Sequence, residues 1–202
     1  MKILVINMYS VKSNLFKKIK KKYEYAFQNK AQLYFVNWNN IKKIKRMIRK
    51  KKVNAIILSG SDYMIKQNKK SYVPDEVFSS NIPILGICYG FQYMSSEAGT
   101  KRDNIGTFKQ KSYKKYRKYI RFVKPFSPFN VKKHKYLFYH RDYVINVPDG
   151  WKIIMKSKGE REKRINAAYE PNTKYLGIQF HPEYYKKTGT AFFSKWLKWI
   201  SE

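Results

Sequence analysis

Among the 202 residues there is one cysteine, Cys88. Without a second thiol the chain has no internal disulfide framework. Its three histidines lack the cysteine partners of a zinc cluster, so neither a metal nor any other cofactor is expected. Long apolar runs are also missing: no stretch approaches the length of a membrane span. The opening MKILVINMYS has one lysine, a brief apolar run and no small-residue cleavage site, which suits a first strand and not a secretory leader. These absences point to a reducing cytoplasmic compartment and no membrane partner. Acidic residues are scarce, 13 against 44 lysines and arginines, giving a net charge of +31. None occurs from Tyr25 through Ser61, where residues 41–53 read IKKIKRMIRKKKV, or from Asn104 through Arg141. A surface of this kind attracts polyanions: nucleic acid, an acidic protein partner or an anionic substrate. A lysine-rich coding bias would produce the same charge without any partner, so charge alone does not choose between them.

What is present is an alternation of element types. Lys2 to Met8 is an apolar run suited to a buried parallel strand, and Ser13 is placed to cap an amphipathic helix over Leu15 to Phe27. Leu33 to Trp38 reads as a second strand. Ile41, Ile44, Met47 and Ile48 recur at helical spacing, which makes the basic run there the wet face of a helix. Asn54 to Leu58 and Pro83 to Cys88 are two more strands, and Tyr89 to Ala98 is a helix. After Gly99 the pattern changes to short alternating stretches, 119–123, 136–139, 143–147, 152–155, 165–169 and 175–180, which suggest antiparallel hairpins. The apolar stripe of Phe192, Phe193, Trp196, Leu197 and Ile200 predicts a closing helix over Ala191 to Ile200. With no repeat and no linker-like stretch, the expectation is one α/β domain over residues 1–202: a three-layer, open, mostly parallel sheet with flanking helices and hairpin additions.

In open α/β sheets, sites form at the carboxyl ends of strands. Gly86-Ile87-Cys88-Tyr89-Gly90 ends one, a G-x-C-x-G version of the nucleophile elbow, in which glycines let a crowded turn close around the reactive side chain. A buried core cysteine is the other reading of such a residue, but the strand-end position favours a nucleophile. At the end of another strand stands Gly177-Ile178-Gln179-Phe180-His181-Pro182-Glu183. A thiol needs a base, and an imidazole needs a partner that holds its tautomer and orientation. His181 and Glu183, two apart on an extended segment, would face one side.

These two segments resemble the signatures of the triad-type class I glutamine amidotransferases. Leu58-Ser59-Gly60 resembles the family's L-S-G-G loop and Ser127-Pro128-Phe129 its S-P-L-F segment. Tyr139-His140-Arg141-Asp142-Tyr143-Val144, followed by Pro148-Asp149-Gly150-Trp151, is similar to S-H-x-D-x-V followed by P-x-G-F. Within the family, the pattern is most similar to the glutaminase subunit or domain of GMP synthase.

The resemblance implies a flavodoxin-like amidotransferase fold and hydrolysis of L-glutamine through a cysteine thioester. Cys88 would be the nucleophile, His181 its base and Glu183 the group orienting His181. Backbone amides of Tyr89 and of the loop at Gly60 and Ser61 would meet the oxyanion. Gln92, Tyr139 and His140 fall at positions beside the glutamine site. The ammonia would pass to a separate ATP-dependent synthetase subunit, such as one aminating XMP. Two departures stand out: Ser61 replaces a glycine, which would be strained if that position takes a positive φ, and Tyr139 replaces a serine.

No G-x-x-x-x-G-K-[ST] loop is present, so the synthetase step would belong to another protein. A second function class remains: a glutaminase-like protein repurposed for binding nucleic acid or an acidic partner, with the segment KKYRKYIRF as its contact surface.

Overall fold

The computed structural model describes residues 1–202 except residue 13 and residues 68–70, 109–118, 124–133 and 159–162. The expected cap Ser13, the 127–129 motif and most of the basic segment 109–124 lie outside the described residues.

The chain alternates as its periodicity requires. Strand β1 (Lys2–Asn7) is buried along nearly its whole length, the signature of a strand covered on both faces. Helix α1 (Leu15–Phe27) follows, burying Ile19, Tyr23, Ala26 and Phe27 on one stripe with lysines between them. Asn14 stands at its N-cap without a side-chain bond. After β2 (Gln32–Asn37) comes α2 (Ile41–Arg49), where Asn40 Oδ1 accepts the amide of Lys43 at 3.2 Å. Its buried stripe is Ile44, Met47 and Ile48, as the spacing predicts. Strand β3 (Ala55–Leu58), the short α3 (Glu76–Ser79), β4 (Ile84–Ile87) and α4 (Tyr89–Ser95) complete the first half. Helix α4 stops three residues before the expected Ala98, because Glu97 and Ala98 take left-handed backbone at φ 46° and 58°.

The second half is mostly strand: β5 (Ile105–Thr107), β6 (Tyr119–Val123), β7 (His134–Phe138), β8 (Asp142–Val144), β9 (Lys152–Lys158), β10 (Lys163–Glu170) and β11 (Tyr175–Ile178). The closing helix α5 (Lys186–Ser201) begins five residues before the expected start at Ala191. Its first turns pack closely: a Cβ on Gly189 would lie 2.6 Å from the Pro182 carbonyl oxygen and 3.1 Å from Ala26 Cβ.

Nine strands form one sheet in the order β2-β1-β3-β4-β11-β10-β8-β5, with β9 paired to β10. The links from β2 through β11 are parallel and the others antiparallel. Helices α1 and α5 share one core with β7, on one face of the sheet. Helices α2, α3 and α4 cover the other face. The hairpin β6–β7 is a separate two-stranded sheet lying over the α1/α5 side. This is the three-layer, mostly parallel α/β architecture that the alternation predicts. Because β1 leads first to β2 on one flank and then to β3 on the other, a crevice opens at the carboxyl ends of the central strands.

Candidate active site at the carboxyl ends of the central strands

Cys88 sits between β4 and α4 with φ 53° and ψ −103°, a left-handed conformation that a residue with a Cβ rarely adopts. The turn closes only because its neighbours lack side chains. A Cβ on Gly86 would come within 2.8 Å of Gly90 C and Phe91 N, and one on Gly90 would overlap the Leu58 carbonyl of β3. The Cys88 amide donates to the Ile178 carbonyl at 2.7 Å, pinning the turn to β11.

That bond matters because β11 carries the second motif. Strands β4 and β11 pair in parallel, Gly86 beside Gly177 and Ile87 beside Ile178, so their two strand ends emerge side by side. Beyond β11, the His181 amide donates to the Leu137 carbonyl at 2.8 Å. Its Nδ1 lies 2.8 Å from Glu183 Oε1, and both side chains are almost wholly buried. Burial alone would lower the histidine pKa. The Glu183 carboxylate and the sulfur of Cys88 outweigh it, and the ring is pushed up to about 10. Nε2 is within electrostatic reach of Cys88 but has no hydrogen-bond partner among the described residues. The sulfur accepts from Gln179 Nε2 at 3.5 Å and faces the Tyr139 carbonyl at 3.6 Å.

Cys88, Tyr89, Gln92, Tyr139, His140, His181 and Ser61 line a single cavity of about 440 Å3. Gly60 stands just behind it: a Cβ there would lie 2.9 Å from His181 Cε1 and 3.0 Å from Tyr9 Oη, so only glycine lets the loop approach the imidazole. The strain anticipated at Ser61 does not arise, since Ser61 is not among the residues with positive φ. Its hydroxyl donates to the Met8 carbonyl at 2.7 Å and accepts the Tyr63 amide at 2.9 Å, tying the loop to β1. The amides of Ser61 and Tyr89 bond to no backbone acceptor among the described residues.

The amide nitrogen of Gln92 is spent within the wall, on the Asp142 carbonyl at 2.6 Å and Gln179 Oε1 at 3.2 Å. The same carbonyl takes His140 Nδ1 at 2.8 Å. The Asp142 carboxylate accepts from Thr107 Oγ1 at 2.7 Å and from the Ile65 amide at 3.1 Å, and burial holds its pKa above the usual carboxylate value. Sequence reasoning gave no role to Tyr9, Asp62, Arg141, Asp142 or Tyr184, all of which line the cavity. Tyr9 and Tyr184 could have been found, since each stands just past a strand end that feeds the crevice. Among the described residues, no cluster of three His, Cys, Asp or Glu side chains is placed to hold a metal ion. The groups that face the cavity include a thiol, an imidazole with a carboxylate behind it, and the amides of Ser61 and Tyr89.

Comparison with known proteins bears on that chemistry. The family model "Glutamine amidotransferase class-I" matches residues 4–199. A GMP synthase [glutamine-hydrolyzing] from Wigglesworthia glossinidia brevipalpis is 31% identical over 145 residues, covering 69% of this chain and 27% of that protein. The enzyme of the same name from Lactobacillus gasseri is 35% identical over 145 residues, covering 71% and 26%. The chain thus spans about a quarter of the length of these relatives. Among solved structures, a putative GMP synthase subunit from Thermoplasma acidophilum superposes with a TM-score of 0.63 at 17% identity, covering 100% of this chain and 94% of that one. The glutaminase domain of Trypanosoma brucei CTPS, with bound acivicin, gives 0.60 at 14% identity, with 98% and 94% covered. At these identities the structural likeness speaks for the fold alone.

Proposed function

The chain belongs to the class-I glutamine amidotransferases, and from that premise we propose that it hydrolyses the γ-carboxamide of L-glutamine, with Cys88, His181 and Glu183 as its triad. The observation that carries the reading is the joint placement of three features, two on the cavity wall and the third behind the imidazole. These are a cysteine at positive φ on the strand-to-helix turn, a buried imidazole, and a carboxylate 2.8 Å from its far nitrogen.

Cys88 Sγ, its proton taken by His181 Nε2, attacks the side-chain carbonyl carbon. The oxygen gains the negative charge, and the free amides of Tyr89 and Ser61 are suited to meet it. As the tetrahedral adduct collapses, the C–N bond breaks and the nitrogen takes the proton from His181, leaving as ammonia. Water, deprotonated by the same imidazole, then splits the γ-glutamyl thioester to glutamate. Glu183 keeps the proton on Nδ1 and offsets the imidazolium charge. Arg141 and Asp62, of opposite charge on the cavity wall, suit the α-carboxylate and α-ammonium of a free amino acid. Gln92 and His140 support that wall through bonds to the Asp142 carbonyl, and Tyr139 places its carbonyl beside Cys88 Sγ.

The whole family match over residues 4–199 supports reading the chain as one amidotransferase domain. The GMP synthase relatives support a GMP synthetase as recipient of the ammonia, and we propose it as a separate ATP-dependent subunit acting with this chain in the cytoplasm. Glutamate release from L-glutamine, with and without a GMP synthetase subunit, tests the proposal. Cys88→Ala is expected to abolish release, and Glu183→Gln to lower kcat on the order of 10³–10⁴-fold. A folded wild-type chain inactive in both settings would sink the reading.

A second reading rests on the surface. On α2 and the turn after it, Lys42, Lys43, Arg46, Lys50, Lys51 and Lys52 are exposed. Among the described residues, the ion pairs formed here involve only Lys45 and Arg49, both to Glu76. Such a face suits a polyanion and is compatible with catalysis in the crevice.

A further inference from the structure

We infer that the Tyr9 hydroxyl is a further oxyanion donor, a catalytic group that meets the γ-carbonyl oxygen in the tetrahedral adduct beside the amides of Ser61 and Tyr89. The inference rests on the glutaminase reading above and on the roles given there to Cys88 and Asp62.

Tyr9 lies just past the end of β1, where the chain is tied to the loop after β3 at three points. The Met8 amide donates to Ser59 Oγ at 2.9 Å, Ser61 Oγ donates to the Met8 carbonyl at 2.7 Å, and the Ser10 amide donates to Asp62 Oδ1 at 2.7 Å. The backbone of Tyr9 is fixed as well. Its amide donates to Asn7 Oδ1 at 3.0 Å, and its carbonyl accepts the Trp38 indole at 3.2 Å. Tyr9 and the loop that carries the Ser61 amide therefore form one unit, and a donor mounted on it needs no reorganisation when the reaction begins.

The side chain is only 6% exposed and lines the cavity together with Cys88 and His181. Its ring stands 6.5 Å from that of Phe16, centroid to centroid. The hydroxyl comes close to both the loop and the imidazole: the point where a Cβ on Gly60 would lie is 3.0 Å from Tyr9 Oη and 2.9 Å from His181 Cε1. Gly60 joins directly to Ser61, so the hydroxyl borders the peptide link that supplies the Ser61 amide. Tyr9 Oη makes no hydrogen bond among the described residues, which leaves its proton to a bound molecule. Burial first, then Glu183, Tyr184, Cys88 and Asp62, hold its pKa well above the ordinary phenol value. The hydroxyl thus stays protonated and able to donate.

The placement of the substrate points the same way. The Asp62 carboxylate is bonded beside the backbone end of Tyr9, and His181 stands beside the hydroxyl end. Glutamine with its α-ammonium at Asp62, laid along the tyrosine, brings its γ-carboxamide to the hydroxyl. As Sγ bonds to the carbonyl carbon, the π electron pair of the carbonyl moves to oxygen. Tyr9 Oη donates a hydrogen bond to that oxygen and keeps its proton. The bond weakens when the thioester carbonyl re-forms and strengthens again when water adds. An interaction that strengthens only in the charged adduct raises kcat without tightening substrate binding.

The test compares wild type with Tyr9→Phe, which keeps the ring and removes the hydroxyl. Two readouts are taken on the full chain: glutamate release from L-glutamine, and the rate at which iodoacetamide alkylates Cys88, the only cysteine. Alkylation needs the thiolate that the site supplies but builds no charge on a carbonyl oxygen. Tyr9→Phe is expected to lower kcat on the order of 10²–10³-fold. KM and the alkylation rate are expected to stay within about twofold of wild type, since neither reports a bond made only in the adduct. Equal kcat in the two chains, whatever the KM, overturns the oxyanion role. A loss of kcat matched by an equal loss of alkylation rate also overturns it, because Tyr9 would then act through the Cys88–His181 pair or the fold. Where Tyr9→Phe does not fold, Tyr9→Met is read by the same criteria. A wild-type chain that is alkylated but releases no glutamate overturns the glutaminase reading itself, whereas an active wild type with an equally active variant overturns the Tyr9 role alone.

Discussion

Cys88 holds a conformation that costs on the order of 1–3 kcal/mol for a residue with a Cβ. The fold sustains it by the amide bond to Ile178 and by glycines at 86 and 90. What the position gains is a sulfur presented to His181 from a separate strand. That proximity has a consequence for pH. The His181 pKa is raised to about 10 by Glu183 and Cys88 against the opposing effect of burial, while in an unfolded chain it returns to roughly 6.5. A raised histidine contributes stability that is fully present below the unfolded pKa and is lost as pH rises through the folded one. The window is therefore about pH 6.5 to 10. Removing the sulfur in Cys88→Ala is expected to lower the His181 titration midpoint and to move the loss of stability to lower pH. Ring-proton NMR and denaturant melts across that window would check both, and a midpoint unmoved by the substitution would contradict the coupling.

Elements decide how Cys88 and His181, far apart along the chain, come to share a wall. The strand-end position of each is readable locally: an apolar run, then a glycine-bounded turn. The parallel pairing of β4 with β11 is not, because nothing local says that the eleventh strand inserts beside the fourth. Strand β5 went unread because three residues, Ile105-Gly106-Thr107, are too few for a period to register. The α2 stripe was fully legible, since its basic and apolar residues separate cleanly at helical spacing. Packing of α4 against β3 depends on Gly90, whose Cβ would overlap Leu58 backbone, which cannot yield as a flexible side chain does. Gly90→Ala is expected to destabilise the fold by several kcal/mol, since overpacking in a tight core typically costs about 1–3 kcal/mol and sometimes more. Thermal melts would measure it, and a Tm within experimental error of wild type would refute the close approach.

At the scale of the whole molecule the charge of +31 dominates behaviour in solution. If phosphate neutralisation at α2 is a function, binding to duplex DNA must weaken with salt, log affinity falling by about 0.9 per phosphate contacted for each decade of salt. Charge reversal at Lys42, Lys43 and Arg46 should flatten that slope. Binding that barely responds to salt would argue against this second reading. The sequence by itself determined the alternation of strands and helices, the apolar stripes, and which residue types stand at strand ends, because periodicity and turn chemistry are local. It also carried the family resemblance, because the motifs are contiguous. Only the tertiary structure decided that Ser61 escapes strain and that Gln92 turns its amide into the wall. It alone set the Tyr184 ring 5.3 Å from that of His181. Each of these depends on which strand lies next to which, and that is set by packing across the sheet, not by neighbours in the chain.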